Sequence, residues 1–347
     1  MAKPPPNNVN QDEEPIPLWF RLGIAMTSLL ITGLLGEGLT RWLDGGARPH
    51  LNIFLQTDDN PITLAPNSVS QVRRITGEIF RVTTDPSGLR EPTPSENGWL
   101  VVGDSQVLGM GVSDRETFSA LAGLYNAGVP GYGVLDALES AAKLVPDLDV
   151  SGVIVMVNQA NDWAEGLTTI NERYAVAQGW LLQSNNGAAA GFWASPLSRS
   201  HLFYYAGLLL TVGGPQAFSA ADGTPPPWLH DPRSQESLTA AFGKQIRAFA
   251  EARPNLPIVV GFLPVDLVAG PDRIPQSAFG QYADGMDTAP WLDSELRDQL
   301  QAATTPLPFL DLTPVFENKP DSFLERDYHL SPKGHARVAA AISENIL

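Results

Sequence analysis

Three side chains from two distant parts of this chain could do acyl chemistry together if the fold gathers them. The tripeptide Gly103-Asp104-Ser105 follows directly on the apolar run Trp99-Leu100-Val101-Val102. A short apolar run ending in Gly-Asp-Ser reads as a buried strand that delivers a serine at its carboxyl end, the edge where open α/β sheets hold their ligands. A serine hydroxyl is a poor nucleophile until a base takes its proton, and the base needs an orienting carboxylate. The histidines are His50, His201, His230, His329 and His335. His329 has Asp327 two residues before it, in a loop ahead of the last helix. Such a loop at the carboxyl edge brings both side chains over Ser105. His335 follows Gly334 inside that helix and reads as a packing or capping residue.

Acyl transfer also needs donors for the oxyanion. Gly128, in Asn126-Ala127-Gly128, offers a backbone N–H that a reacting centre can approach closely. Asn161 offers a side-chain amide just past the run Gly152–Val157, at the same sheet edge as Ser105. The N–H of Ser105 completes the set. Each piece has a plain alternative: Asn126-Ala127-Gly128 as a turn, Asn161-Asp162 as a helix cap, any single histidine as a packed or surface residue. The order of the pieces is what favours the chemical reading.

The elements that must position these residues alternate. Strands are expected at Trp99–Val102, Leu124–Asn126, Gly152–Val157, Pro257–Phe262 and Pro308–Leu310. Helices are expected at Thr117–Gly123, Leu135–Leu144, Glu236–Ala252 and Leu292–Ala303, with a closing helix from Pro332 to Ile346. Ser331 is a good N-cap for that last helix, and Pro332 suits its first position. Strands alternating with helices imply an α/β domain over 98–347, its parallel sheet covered on both faces. The stretch 163–235 interrupts the rhythm and reads as an insertion, either a lid or groove wall or a plain surface excursion. Residues 41–97 read as a lead-in of short strands and turns on the main domain, Thr84-Asp85-Pro86-Ser87-Gly88 being a turn by chemistry.

The first 40 residues are a separate matter. Residues 1–17 are polar, proline-rich and expected to be disordered. Leu22–Leu35 holds 14 residues without a charge, short of the roughly 20 that a spanning helix needs. Leu18, Trp19 and Phe20 extend the run, Arg21 can snorkel beside them, and Glu37 and Arg41 mark the far end. A single anchor over 18–40 is therefore expected, the alternatives being a surface helix or a cleaved signal. The acidic leader Asp12-Glu13-Glu14 and the lack of a small-x-small site oppose a signal.

Composition narrows the partners. The 347 residues carry a formal net charge of -16, with no Lys/Arg cluster, which argues against nucleic acid and against electrostatic docking on anionic lipid. A hydrophobic content of 43% is that of a globular chain with a real core. Cysteine is absent, so disulfides, thiolate metal sites and a cysteine nucleophile are excluded.

The four pieces resemble the blocks of the SGNH (GDSL-type) hydrolase superfamily. Block one is Gly103-Asp104-Ser105, block two the Gly128 region, block three Gln159-Ala160-Asn161-Asp162, and block five Asp327 with His329. The text around them is similar to membrane-anchored bacterial members: Gly88-Leu89-Arg90, Gly109-Met110-Gly111-Val112, Asn126 to Gly133, and His329 to His335. The resemblance covers residues 88–163 and 305–347 best. It implies a flavodoxin-like three-layer α/β/α sandwich, with Ser105, His329 and Asp327 as the triad and Ser105, Gly128 and Asn161 as the oxyanion hole. It implies acyl-ester chemistry without metal or cofactor, on an acylated small-molecule or glycan substrate. It places the domain on the outer side of a bacterial inner membrane. Three activities remain open: an esterase, an O-acyltransferase with the same triad, and a silent domain that binds or assembles. Two departures bear on the choice. Gln159 stands where the family has glycine, and block five is Asp-x-His, with Glu325 as the reserve acid.

Overall fold

A computed structural model describes residues 16–57, 60–94, 97–184, 191–211, 214–215, 235–277, 292 and 294–347. The first element is α1, Leu18–Asp44, with no buried residue and a mean hydropathy of 1.7 over its most apolar 18 residues. It runs four residues past the expected end at 40. No breaker occurs before Gly45-Gly46, where Gly45 takes a left-handed φ of 62° and its N–H and that of Gly46 return to Trp42 and Arg41.

Two small antiparallel pairs follow, β1 (Phe54–Leu55) with β2 (Thr63–Leu64) and β3 (Val69–Arg73) with β4 (Ile79–Thr83). In β3 and β4 buried and exposed residues alternate, so each strand presents one face to the protein interior.

The central sheet consists of β5 (Gly98–Gly103), β6 (Tyr125–Gly128), β7 (Val150–Asn158), β10 (Ile258–Leu263) and β11 (Phe309–Asp311). A separate hairpin, β8 (Tyr174–Ala177) with β9 (Trp180–Gln183), lies between them in sequence. The sheet order is β6-β5-β7-β10-β11, with every neighbour parallel. Numbered along the sheet's own strands this is 2-1-3-4-5, the flavodoxin-like order, whose switch point lies between β5 and β7. The three central strands, β5, β7 and β10, are rich in Val, Ile and Leu, as expected of strands covered on both faces.

The alternation along each strand divides the core in two. Leu100, Val102, Val153, Val155 and Val157 face one layer, and Val101, Ile154 and Met156 the other. The first layer is filled by α4 (Val134–Leu144), α8 (Glu236–Glu251) and α9 (Glu295–Thr304); the second holds α3 (Phe118–Ala122) and α11 (Pro332–Asn345). Three layers result, as the resemblance implies. The lead-in joins the first core, because Leu51, Phe54, Ile62, Leu64, Phe80 and Leu89 are buried with the sheet residues. The described part of the insertion builds its own small core from Trp180, Leu182, Trp193 and Tyr204, around the hairpin and α7 (His201–Leu210). It packs on the lead-in and on α1: the Arg48 guanidinium lies 5.5 Å from the Trp180 ring centre, and Leu202 rests against Gly36. The rest of that insertion, with any lid it carries, lies outside the described residues.

Candidate active site

The serine leaves the sheet at the switch point. Gly103 ends β5 at a place where a Cβ would sit 2.6 Å from Val107 Cγ2, so only glycine lets the chain turn this sharply into the next helix. That helix, α2, is Ser105–Leu108, one turn long. Asp104 caps it by accepting the Gln106 N–H at 2.9 Å. The lead-in closes its other end. Arg90, itself buried, donates to the carbonyls of Leu108, Gly109 and Val112, the last two at 2.7 and 2.6 Å. The Gly88-Leu89-Arg90 segment thus holds the turn that carries Ser105.

Ser105 Oγ lies 2.8 Å from His329 Nε2, and His329 Nδ1 lies 2.6 Å from Asp327 Oδ1. Asp327 also accepts the His329 N–H at 3.1 Å, a short loop closure that fits the Asp-x-His spacing. Ser105 and His329 are each 1% exposed. Burial alone would push the His329 imidazole down, but the Asp327 carboxylate overrides it and holds His329 above its ordinary value. In return, although burial raises it, Asp327 is held below the usual carboxylate range by the charge and hydrogen bonds of His329. Glu325 is exposed, and the carboxylate bonded to the imidazole is that of Asp327.

Two residues that sequence reasoning missed hold this loop. Gln106, next to the nucleophile, donates its amide N–H to the Tyr328 carbonyl at 2.8 Å and accepts the Leu330 N–H at 3.1 Å. It grips the backbone on both sides of His329. Arg273, fully buried, pairs with Asp266 at 2.8 Å and donates to the carbonyls of Leu324, at 2.6 Å, and Asp327. The Tyr328 ring stacks on His329 with centres 4.4 Å apart.

The oxyanion candidates divide. Asn161 stands at the N-cap position of α5 (Asp162–Glu165), yet its side chain makes no cap bond. Instead its Oδ1 accepts from Asn158 Nδ2 at 2.7 Å, and Asn158 Nδ2 also reaches Asp104 Oδ2 at 2.8 Å. Asn158, a polar residue at the tip of an apolar strand, thereby ties Asn161 to the turn that bears Ser105. Gly128 departs from its expected role, because its N–H is spent on Asn126 Oδ1 at 3.0 Å. A Cβ there would meet the Leu108 N at 2.1 Å, so glycine is required for strand-to-helix packing. Asn126 is a structural hub in β6, its Nδ2 donating to Val107 O and Ser119 Oγ at 2.8 and 2.7 Å. Three residues on, Gly131 adopts a φ of 87° in the loop leaving β6, and its N–H has no acceptor among the described residues.

Gln159 turns away from the site. Its Oε1 accepts the Val265 N–H at 3.0 Å and joins the exits of β7 and β10. The other histidines are structural where described. His335 accepts the Phe118 N–H at 3.1 Å, and burial pushes it down to about 3. His50 bonds Tyr204, and His201 pairs with Asp44 at 3.2 Å. His230 lies outside the described residues.

No family model matches the sequence, and no curated protein matches it. Solved structures do. A lipase/acylhydrolase from Enterococcus faecalis is 14% identical at a TM-score of 0.38, the match covering 72% of this chain and 95% of that one. A GDSL-like lipase from Bacteroides thetaiotaomicron is 11% identical at 0.36, covering 74% and 91%. A psychrotrophic esterase from Pseudoalteromonas is 13% identical at 0.34, covering 72% and 97%.

Proposed function

We propose that this protein is a membrane-anchored serine hydrolase of acyl esters. The observation that carries this reading is the unbroken line from Asp327 through His329 to Ser105, at 2.6 and 2.8 Å. In this reading Ser105 Oγ attacks the ester carbonyl carbon while its proton passes to His329 Nε2. Asp327 steadies the imidazolium that forms. The negative charge on the former carbonyl oxygen is met by the Ser105 N–H and the Asn161 amide. Collapse expels the alcohol, protonated by His329. A water then repeats the sequence on the acyl-enzyme, releasing the acid and restoring Ser105.

The substrate class we assign is a small acyl ester, of acetyl type, on a cell-envelope glycan. What supports it is α1, which would hold the catalytic domain against the outer face of a bacterial inner membrane. The test uses the full chain in detergent with a fluorophosphonate probe and p-nitrophenyl acetate. Ser105→Ala should abolish labelling, and Ser105→Ala or His329→Ala should cost on the order of a thousandfold or more in turnover with the melting temperature held. Equal turnover by Ser105→Ala and the parent would refute the assignment. On acetylated glycans, release of free acetate identifies hydrolysis. Acetyl passed to a second sugar would identify transfer by the same serine.

A further inference from the structure

Helix α7 is unusual for a surface helix. Its ten residues, His-Leu-Phe-Tyr-Tyr-Ala-Gly-Leu-Leu-Leu, hold no Asp, Glu, Lys or Arg. One side is accounted for: His201, Tyr204 and Gly207 are buried, Tyr204 in the small core of the insertion. The other side is apolar and open, with Leu209 87% and Leu210 77% exposed.

The same helix is fixed to the end of α1. Leu202 lies against Gly36 in close contact, a Cβ there falling 3.0 Å from Leu202 Cδ2, so that a larger residue would push Leu202 aside. The Glu37 carboxylate accepts the Leu202 N–H at 3.0 Å and the Ser200 hydroxyl at 2.7 Å. Glu37 therefore supplements the Ser200 cap of α7 from another helix. His201 and Asp44 close the contact about two turns further along α1.

Depth follows from helix geometry. From Leu18 to Gly36 is 19 residues. At about 1.5 Å per residue that length matches the roughly 30 Å hydrocarbon thickness of a bilayer. Gly36 then lies at the hydrocarbon edge and Glu37 in the headgroup layer. Leu202 touches Gly36, so α7 starts at that depth. Leu209 is seven residues after Leu202 and shares its stripe on the helix. Ten residues are too few to cross, so a helix of this kind lies along the surface.

We propose that α7 is a second membrane element. It lies in the lipid–water interface beside the outer end of α1, with its Leu202–Leu209 stripe in the lipid. This rests on the reading of α1 as a membrane anchor. Two contacts of different direction would fix the tilt of the catalytic domain on the membrane, where a single helix leaves it free to swing.

The absence of cysteine permits a direct test. Single variants Leu29→Cys in α1, Leu209→Cys in α7 and Glu251→Cys at the exposed end of α8 carry a fluorescent label, in full-length protein reconstituted into phosphatidylcholine vesicles. Brominated phosphatidylcholine quenches from the lipid and iodide from the water. Loss of emission at Leu209 in brominated lipid, matching that at Leu29 and absent at Glu251, is the expected result. Quenching at Leu29 with Leu209 behaving like Glu251 overturns the proposal and leaves the anchor standing. A Leu209 label shielded from both quenchers means that protein covers the stripe, which also overturns it. No lipid quenching at Leu29 removes the anchor and the proposal together.

Discussion

At the scale of single residues the site makes a pH prediction with a definite sign. His329 must be neutral to accept the Ser105 proton, and its pair with Asp327 holds it above the ordinary 6.5. Activity should therefore rise with pH through a midpoint above 6.5. Below that midpoint the charged pair stabilises the fold, and this contribution fades as pH climbs through it. Asp327→Asn removes the main raising partner and leaves burial opposed only by the more weakly acting Asp104 and Asp266, so the midpoint should fall, with turnover down by about 10⁴ if the triad behaves as comparable ones do. A kcat/KM profile that keeps its midpoint in Asp327→Asn would refute the pairing. Gln106 gives a second prediction. Gln106→Leu releases the backbone on both sides of His329, and kcat should drop with KM little changed and fluorophosphonate labelling slowed in step. A lower melting temperature with kcat preserved would reduce Gln106 to a packing residue. The meeting of Ser105 with His329 was legible because each stands where an element ends, in a short polar signal after apolar text. Gly128 was misread for a physical reason: a glycine forced by a neighbour's backbone and a glycine left open for a ligand look identical in sequence.

At the scale of elements, the five central strands lie within two residues of the positions their apolar runs imply, because strands buried on both faces leave little else for such runs to do. The loops were less legible. Asn161 could be a cap or a donor from its spacing, and only the unmade cap bond separates the two. Asn161→Ala should accordingly lower turnover about 100- to 1000-fold while the melting temperature holds, since a lost oxyanion donor costs that much and no cap is removed. A fallen melting temperature with intact turnover would reverse this. Gln159→Gly has the opposite signature. It strips the Val265 N–H of its buried partner, at a cost of about 1–3 kcal/mol. Thermal unfolding should show the loss, and a variant as stable as the parent would mean the joint between β7 and β10 is dispensable. Arg90 was visible only as part of Gly88-Leu89-Arg90 and its role, like that of Arg273, was not, because both act on backbone carbonyls that the fold brings in from a distance.

At the scale of the whole molecule, α1 contributes no buried residue to the domain. Deleting residues 1–45 should leave turnover on a small ester within a few-fold of the parent and abolish resistance to a carbonate wash; full-length protein recovered as soluble would count against a spanning helix. The insertion was the least legible part. Its aromatic core of Trp180, Trp193 and Tyr204 is assembled from a hairpin and a helix whose periodicities are too short to register. There is also an order in time. Ser105 and His329 are separated by 224 residues. The anchor and the nucleophile are therefore translated first, and the base arrives only after β10 and β11 have been made. In the proposed reading, the emerging chain until then carries a serine as inert as any other, already beside the membrane and its esters. The distance in sequence acts as a safety catch, released when the sheet is complete.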